Sequence, residues 1–236
     1  MNLILLLPDD LDATGKRARL QGRRLAHIAD IQKAQLGDVL RVGLLNGPVG
    51  TGQIVQLGDA LELELQLDRD PPPALPATLV VALPRPLILK RVLHSATTLG
   101  IKKLVLLAAR RVERSFWQSR ALRPEAIREQ LILGLEQARD TALPEVILAP
   151  HFRPFVEGEL PELQRGTMGL VAHPGASAPC PRGPIGQPVT LAIGPEGGFN
   201  DFEVDKLAAA GLLPVHIGER ILRVDAAVSV LLGRLF

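Results

Sequence analysis

The stretch LAIGPEGGFNDFE, residues 191–203, starts as an apolar strand, passes through a glycine-rich turn and ends at a helix start. Asn200 is a favourable N-cap residue, and Glu203 three residues later completes a capping box. Phe199 and Val204 stand at the two positions of a hydrophobic staple around that cap. The stretch therefore predicts a strand, a rigid glycine turn and a helix.

The charge of this turn argues against phosphate binding. Glu196, Asp201 and Glu203 place acidic groups at the helix N-terminus, and no Lys or Arg occurs between Arg182 and Lys206. The order G-P-E-G-G matches neither a Walker A loop nor G-x-G-x-x-G. Two interpretations remain, a turn whose glycines serve geometry alone and a site for a neutral or cationic ligand held by backbone groups.

Two further segments follow the same plan. HIGERILRVDAAV, residues 216–228, again reads as strand, glycine turn and helix, and TMGLVAHPGAS, residues 167–177, ends a strand near His173. Ligands of open α/β sheets bind at the carboxyl ends of the strands. The sequence therefore predicts that these three strand ends face one site.

The proline run 71–73 favours a stiff connector and divides the chain into domains 1–70 and 71–236. Residues 37–67 alternate β-favouring residues with turn signals, which predicts a small β-barrel. The later segments alternate strands and helices, which predicts an α/β domain with a mostly parallel sheet. The predicted strands are ATLVVALP, KKLVLLAA, EVILAP, TMGLVAHP, VTLAIG and LPVHIG; the helices are PLILKRVLHSATTLG, PEAIREQLILGLEQARD, PFVEGELPELQ, NDFEVDKLAAAG and VDAAVSVLLGRLF; and PGASAPCPRGPIGQP is a loop.

Composition excludes several classes of protein. Cys180 is the single cysteine of the 236 residues, so an internal disulfide and a multi-cysteine metal site are ruled out, and no metal is expected. The apolar start, Leu3 to Leu7, is too short for a signal sequence, and no run approaches a membrane span. We expect a cytoplasmic protein that does not associate with a membrane.

Basic residues concentrate in two regions. Residues 16–24 contain five cations and no acid, and the segment from Lys90 to Arg123 contains nine cations against Glu113, with Phe116 and Trp117 among them. Either cluster alone is typical of a solvated surface. Two clusters in separate domains favour contacts with an RNA backbone.

The two glycine turns together resemble the RsmE-type 16S rRNA uridine N3-methyltransferases, which belong to the SPOUT, or trefoil-knot, methyltransferases. The similar motifs are Gly194–Phe199 with Glu203, and Ile217–Arg223. The resemblance extends over nearly the whole chain through His27-Ile28, Gly37–Leu40, Asn46-Gly47, Leu99–Ile101, Glu136-Gln137 and Pro144.

The resemblance implies a fold and an activity. The N-terminal part would be an RNA-binding PUA-like β-barrel, and the C-terminal part a SPOUT α/β domain with a deep trefoil knot over roughly residues 165–236. The implied enzyme is a homodimer that uses S-adenosylmethionine to methylate N3 of a uridine in 16S rRNA, within the 30S subunit. The implied cofactor carries a sulfonium and an ammonium but no phosphate, which agrees with the charge of the turn.

The resemblance also implies site residues. The cofactor-binding residues are Ala172, His173, Ile193, Gly194, Pro195, Glu196, Gly197, Gly198, Ile217, Gly218, Ile221 and Leu222. Because uridine N3 carries a proton at neutral pH, we hypothesise that Arg223 stabilises or orients the uracil anion, and that Glu196 or Asp225 assists proton removal or complements the sulfonium charge. The RNA-binding residues are Arg23, Arg24, His27, Arg41, Lys90, Arg91, Arg114, Arg139 and Arg220.

The sequence departs from the family pattern next to these residues. Val224, Asp225 and Ala226 stand where the family has Thr-Glu-Thr, Thr98 replaces a glutamate, and Arg139 is displaced by one position. Two alternatives therefore stay open, a related SPOUT methyltransferase that acts on another RNA and an RNA-binding factor without catalysis.

Overall fold

The computed structural model describes residues 2–31 and 33–236, which form two compact units. Unit 1 contains Met1–Pro73 and Ile132–Leu143, and unit 2 contains Ala74–Leu131 and Pro144–Phe236. The first division falls at the proline run. Residues 132–143, which the sequence placed in the second domain, belong to unit 1. The helix Pro124–Ala138 crosses this division without a break in its periodicity, so the sequence pattern does not mark it.

Unit 1 is built on a five-stranded sheet that curls into a half-barrel, with strand order β1-β3-β4-β5-β2. Strands β1 and β3 are parallel and the other pairs are antiparallel. In the described residues no ladder joins the two edge strands, so the small β-barrel that the alternation predicted is an open half-barrel. The elements are β1 Ile4–Leu6, β2 Arg17–Leu20, α1 Gly22–Ala26, β3 Val39–Leu44, β4 Val49–Leu57 and β5 Leu61–Arg69.

The period-two pattern of ALELELQL explains the core of unit 1. Leu61 and Leu63 are fully buried, whereas Glu64 on the opposite face is exposed. Strand β4 has a register shift at Gly50, where an added Cβ would lie 1.9 Å from the carbonyl oxygen of Gln66. Glycine is therefore needed for the close approach of β4 and β5.

Unit 2 alternates strands and helices as predicted. A π-helical turn, Phe155–Glu159, joins its two short helices, and two 3-10 turns precede its long helix. The elements are β6 Ala77–Ala82, α2 Pro86–Thr98, β7 Lys103–Leu107, α3 Pro124–Ala138 (which ends in unit 1), β8 Glu145–Ala149, α4 Phe152–Pro154, α5 Leu160–Leu163, β9 Met168–Ala172, β10 Ala178–Pro179, β11 Val189–Ile193, α6 Asp201–Ala209, β12 Leu213–His216 and α7 Val224–Leu235.

These strands form a seven-stranded sheet with the order β10-β12-β9-β11-β6-β7-β8, and every pair is parallel. All five residues of β11, in the middle of the sheet, are buried. Strand β10 is a correction to the predicted loop 174–188. It escapes the pattern because it has two residues, and its Pro179 is tolerated at an edge strand.

The parallel arrangement brings the carboxyl ends of β9, β11 and β12 to one edge of the sheet. The chain leaves these strands at His173, Gly194 and Ile217, as the sequence predicted. In an open parallel sheet, ligands usually bind at this edge, so a functional site is expected here. No helix in the described part of the chain is both long and apolar enough to cross a membrane.

Candidate functional site

A cavity of about 290 Å³ opens at this edge of the sheet. Its walls are the glycine turn, which we define as Gly194–Phe199, and the arginine turn, which we define as Ile217–Arg223. Every residue that the sequence assigned to the cofactor lies in its lining: Ala172, His173, Ile193, Gly194, Pro195, Glu196, Gly197, Gly198, Ile217, Gly218, Ile221 and Leu222.

The capping box predicted at the start of α6 is formed. The Glu203 amide donates to Oδ1 of Asn200 at 2.9 Å, and the Asn200 amide donates to Oε2 of Glu203 at 3.0 Å. Glu203 is 2% exposed, and its Oε1 accepts the amide of Arg110 at 2.6 Å. Glu203 is therefore a buried structural carboxylate that ties the loop after β7 to the start of α6, and it contributes no charge to the cavity lining.

The glycines of the glycine turn have definite steric roles. Gly198 adopts a φ of 71°, and its amide donates to the carbonyl of Pro195 at 2.7 Å. A Cβ on the buried Gly194 would lie 2.8 Å from the amide nitrogen of Phe199. Because the two nearest atoms, this nitrogen and the carbonyl carbon of Gly198, belong to the backbone, the turn has no room for a side chain at Gly194.

Two more strand ends reach the glycine turn. The Arg85 amide, after β6, donates to Oε1 of the exposed Glu196 at 3.1 Å. After β7, Nη1 of Arg111 donates to the carbonyl oxygen of Gly197 at 2.5 Å, and Arg111 lines the cavity. Sequence reasoning missed both contacts, although the same strand-end rule applied to KKLVLLAA would have indicated the loop that holds Arg111.

The arginine turn is held by fewer hydrogen bonds than the glycine turn. Gly218 adopts a φ of 134°, and its amide donates to Nδ1 of His216 at 3.1 Å. Arg220 and Ile221 line the cavity, and Ile221 is 80% exposed. Arg223 is exposed at the N-cap of α7, where its carbonyl accepts the amide of Ala227 at 2.8 Å; it lies beside the cavity lining rather than in it.

His173, at the end of β9, presents an unsatisfied polar atom. Its Nδ1 is buried and has no hydrogen-bond partner within the part of the chain that the structure describes. Buried polar atoms in folded proteins are nearly always paired. An unpaired imidazole nitrogen in the wall of a cavity therefore indicates a place where a ligand or a water completes the bonding.

Asp225 lies outside this cavity. Its Oδ2 is 3.5 Å from Nη1 of Arg91, and its Oδ1 is buried without a partner in the described residues. It borders a second cavity of about 420 Å³, shared with Lys90 and His94 among others. The sequence proposed Glu196 and Asp225 for related roles, but the structure brings them to different cavities.

Some of the predicted RNA-binding cations in unit 1 already have partners. Arg24 forms an ion pair with Asp10, and both side chains are largely buried. Arg23 pairs with Glu136 at 3.0 Å; burial raises the pKa of that carboxyl, and the Arg23 guanidinium opposes the shift. Arg41 and Arg139 are exposed and His27 is half-buried in unit 1, while Lys90, Arg91, Arg114 and Arg220 are exposed in unit 2.

Other chemistries find little support. Cys180 is buried, and burial raises the pKa of its thiol, which disfavours the reactive thiolate. No group of three or more potential metal ligands occurs among the described residues. Phe116 and Trp117, proposed as stacking faces for bases, are half-buried.

Comparison with known proteins places the chain in a family. A family model described as "RNA methyltransferase domain" matches residues 71–235. The ribosomal RNA small subunit methyltransferase E of Treponema pallidum is 27% identical over 96% of this chain and 87% of that protein, and the protein of the same name from Synechocystis is 30% identical over 90% of this chain and 70% of that protein.

Solved structures share the fold. The ribosomal RNA small subunit methyltransferase E of Neisseria gonorrhoeae, bound to S-adenosyl methionine, superposes with a TM-score of 0.71 at 18% identity, covering 98% of this chain and 95% of that chain. A probable rRNA methyltransferase from Porphyromonas gingivalis gives a TM-score of 0.74 at 21% identity over the same shares. The match to the family model and the similarity to the Synechocystis protein show that this chain belongs to the RNA methyltransferase family, which contains the ribosomal RNA small subunit methyltransferase E proteins.

Proposed function

We propose that this protein transfers a methyl group from S-adenosylmethionine to N3 of a uridine in the 16S rRNA of the small ribosomal subunit. The observation that carries the proposal is the cavity at the ends of β9, β11 and β12, whose lining contains every residue assigned to the cofactor. Membership in the RNA methyltransferase family supports the same reaction.

The residues present fit this cofactor. The cavity is close to the lower end of the range of about 300–1,000 Å³ that is usual for small-molecule sites. Ile193, Ile217 and Leu222 supply apolar surface for a purine ring, and the backbone of the glycine turn supplies polar groups. The unpartnered Nδ1 of His173 offers one further hydrogen bond. When bound, S-adenosylmethionine supplies an electrophilic methyl group on a sulfonium.

The side chains of this protein must make uridine N3 reactive. Uridine N3 carries a proton at neutral pH, so a base or a stabilised anion is needed before N3 becomes a nucleophile. Arg223, exposed beside the cavity, stabilises the negative charge that develops on the uracil ring. Glu196, exposed on the glycine turn and held by the Arg85 amide, accepts the proton or offsets positive charge in the cavity. Asp225 acts indirectly, by holding Arg91.

The same proposal includes the role of unit 1, a knot near the C-terminus and a homodimer. The half-barrel of unit 1 acts as a PUA-like RNA-binding domain, and Arg41 and Arg139 are its exposed candidates for RNA contact. The chain near the C-terminus is threaded into a trefoil knot, a proposal supported by the amides of Gly183 and Ile185, which donate to carbonyls at the end of α7. The enzyme works in the cytoplasm as a homodimer, and exposed Leu87 on α2 and Val230 on α7 suit a face between protomers.

The test is methyl transfer from labelled S-adenosylmethionine onto 30S subunits and onto free 16S rRNA, both prepared from cells that lack this protein. Digestion of the product and identification of the labelled nucleoside should give 3-methyluridine, with 30S subunits the better substrate. A label on another nucleoside would show a related methyltransferase. Binding of RNA with no label, and no thermal stabilisation by S-adenosylmethionine, would show an RNA-binding factor without catalysis.

A further inference from the structure

Arg111 is a cavity residue with no role so far. Its guanidinium donates to the carbonyl oxygen of Gly197, and its aliphatic stem lies over the same glycine, since a Cβ on Gly197 would be 3.1 Å from Cδ of Arg111. The side chain is thus held against the glycine turn although it is exposed. An arginine that is already held loses less conformational freedom when it binds a ligand.

The loop that carries Arg111 is itself fixed. The neighbouring Arg110 amide donates to the buried Glu203, and Ala109 and Val112 pack against the hydrophobic core of unit 2. A guanidinium has five N–H donors, and the bond to Gly197 uses one of them. The other donors are available to an acceptor in the cavity.

The charges around the glycine turn define the kind of acceptor. Three lining residues carry a formal charge, namely Arg111, Glu196 and Arg220. Glu196 lies on the glycine turn and Arg111 is hydrogen-bonded to it, so the two bring opposite charges to the same wall of the cavity. A zwitterionic amino-acid group, which carries an ammonium and a carboxylate close together, complements such a pair. Carboxylates are also preferred partners of the planar guanidinium.

Arg220 is the other cation in the cavity lining that could bind a carboxylate, but its side chain is not held in place. Its side chain has no hydrogen bond or ion pair in the residues that the structure describes, and it is exposed on the arginine turn. Ordering it around a small ligand would cost more side-chain entropy than using Arg111. Arg220 therefore suits a large partner that supplies several contacts at once.

We propose that Arg111 binds the carboxylate of the amino-acid portion of the methyl donor. The proposal rests on the proposed function, because it requires a ligand that carries an amino-acid group. It assigns Arg111 a part in donor recognition, distinct from the contacts that the backbone of the glycine turn makes with the rest of the ligand.

The experiment compares two probes by isothermal titration calorimetry. S-adenosylhomocysteine contains the amino-acid group, whereas 5′-methylthioadenosine has the same adenosine and thioether without it. Arg111→Met keeps an aliphatic stem over Gly197 but removes the guanidinium, and Arg111→Lys keeps the charge without the planar fork. Arg220→Ala tests the competing cation, and Arg110→Ala is a matched control on the same loop, exposed and outside the cavity lining.

We expect Arg111→Met to weaken S-adenosylhomocysteine about tenfold, the size of one charge-assisted hydrogen bond, and to leave 5′-methylthioadenosine within about twofold. Arg111→Lys should recover part of the loss, and the Arg220 and Arg110 variants should bind both probes like the wild type. Equal losses for the two probes, or no loss for either, would overturn the assignment to the carboxylate. If the wild type binds neither probe, the proposed function and this assignment both fail.

Discussion

The glycine turn and the arginine turn face the same cavity but are held in opposite ways. The glycine turn is fixed by an internal hydrogen bond, by the Arg85 amide on Glu196, by Arg111 on Gly197 and by the capping box that follows it. The arginine turn exposes most of its side chains. The difference teaches that one wall is organised before any ligand arrives, while the other keeps its charged and apolar side chains free for a partner.

The largest expected effect is on catalysis, at the end of the arginine turn. Arg223→Ala should lower the rate of methyl transfer about 100- to 1,000-fold, the usual loss when one group that stabilises developing charge is removed. Folding should be unchanged, because the exposed Arg223 side chain has no partner in the described residues and only its backbone caps α7. Single-turnover kinetics on 30S subunits measure the rate, and calorimetry with S-adenosylhomocysteine should give wild-type affinity. A wild-type rate would remove Arg223 from the mechanism.

The next effect is on stability, at the capping box that follows the glycine turn. Glu203→Ala leaves the partly buried amides of Arg110 and Asn200 without their acceptor, which should lower the free energy of unfolding by about 2–4 kcal/mol. Glu219→Ala, the matched change in the arginine turn, removes an exposed carboxylate and should cost less than about 0.5 kcal/mol. Urea denaturation measures both. A similar loss of unfolding free energy in the two variants would mean that both turns are fixed to the same extent.

The sequence predicted what depends on local patterns. Period two, helix caps and the strand-end rule placed β6, β7, β8, β9, β11 and β12, and the capping box of Asn200 and Glu203 is confirmed. The residues assigned to the cofactor meet in one cavity because parallel strands deliver their carboxyl ends to one edge. The strands and the cap need only neighbours within a few residues, whereas the cofactor residues were assigned from the family resemblance and meet through the parallel arrangement of the sheet.

The sequence failed where charges come from far along the chain. Counting residues between Arg182 and Lys206 gave an acidic turn, yet Arg111 reaches it from another strand end and Glu203 turns inward. The same error affected the basic run 16–24. In the pairing of β2 with β5, Arg17 and Arg19 stand opposite Glu64 and Glu62, so the run is less basic in space than in sequence.

Glycine substitutions separate steric fixation from backbone strain. Gly194→Ala forces a Cβ against the Phe199 amide at 2.8 Å, and we expect a loss of about 1–3 kcal/mol with weaker binding of S-adenosylhomocysteine. At Gly218 an added Cβ meets nothing within 4 Å, so the cost of Gly218→Ala is the strain of a φ of 134°, about 1 kcal/mol. Denaturation and calorimetry on both variants give the comparison. Equal loss of ligand affinity would show that the arginine turn also needs a fixed backbone.

The smallest effect on stability is expected at Ile221, where the contrast between the turns is most direct. Because Ile221 is 80% exposed, Ile221→Ser should change the free energy of unfolding by less than about 0.5 kcal/mol. The side chain nevertheless lines the cavity, so a bound ligand should cover part of it, and affinity for S-adenosylhomocysteine should fall about three- to tenfold. Leu148→Ser, on β8 and outside the cavity lining, is the matched exposed control and should leave affinity unchanged. If Ile221→Ser also left affinity unchanged, the arginine turn would face RNA alone, and the cofactor would be held by the organised wall and the end of β9.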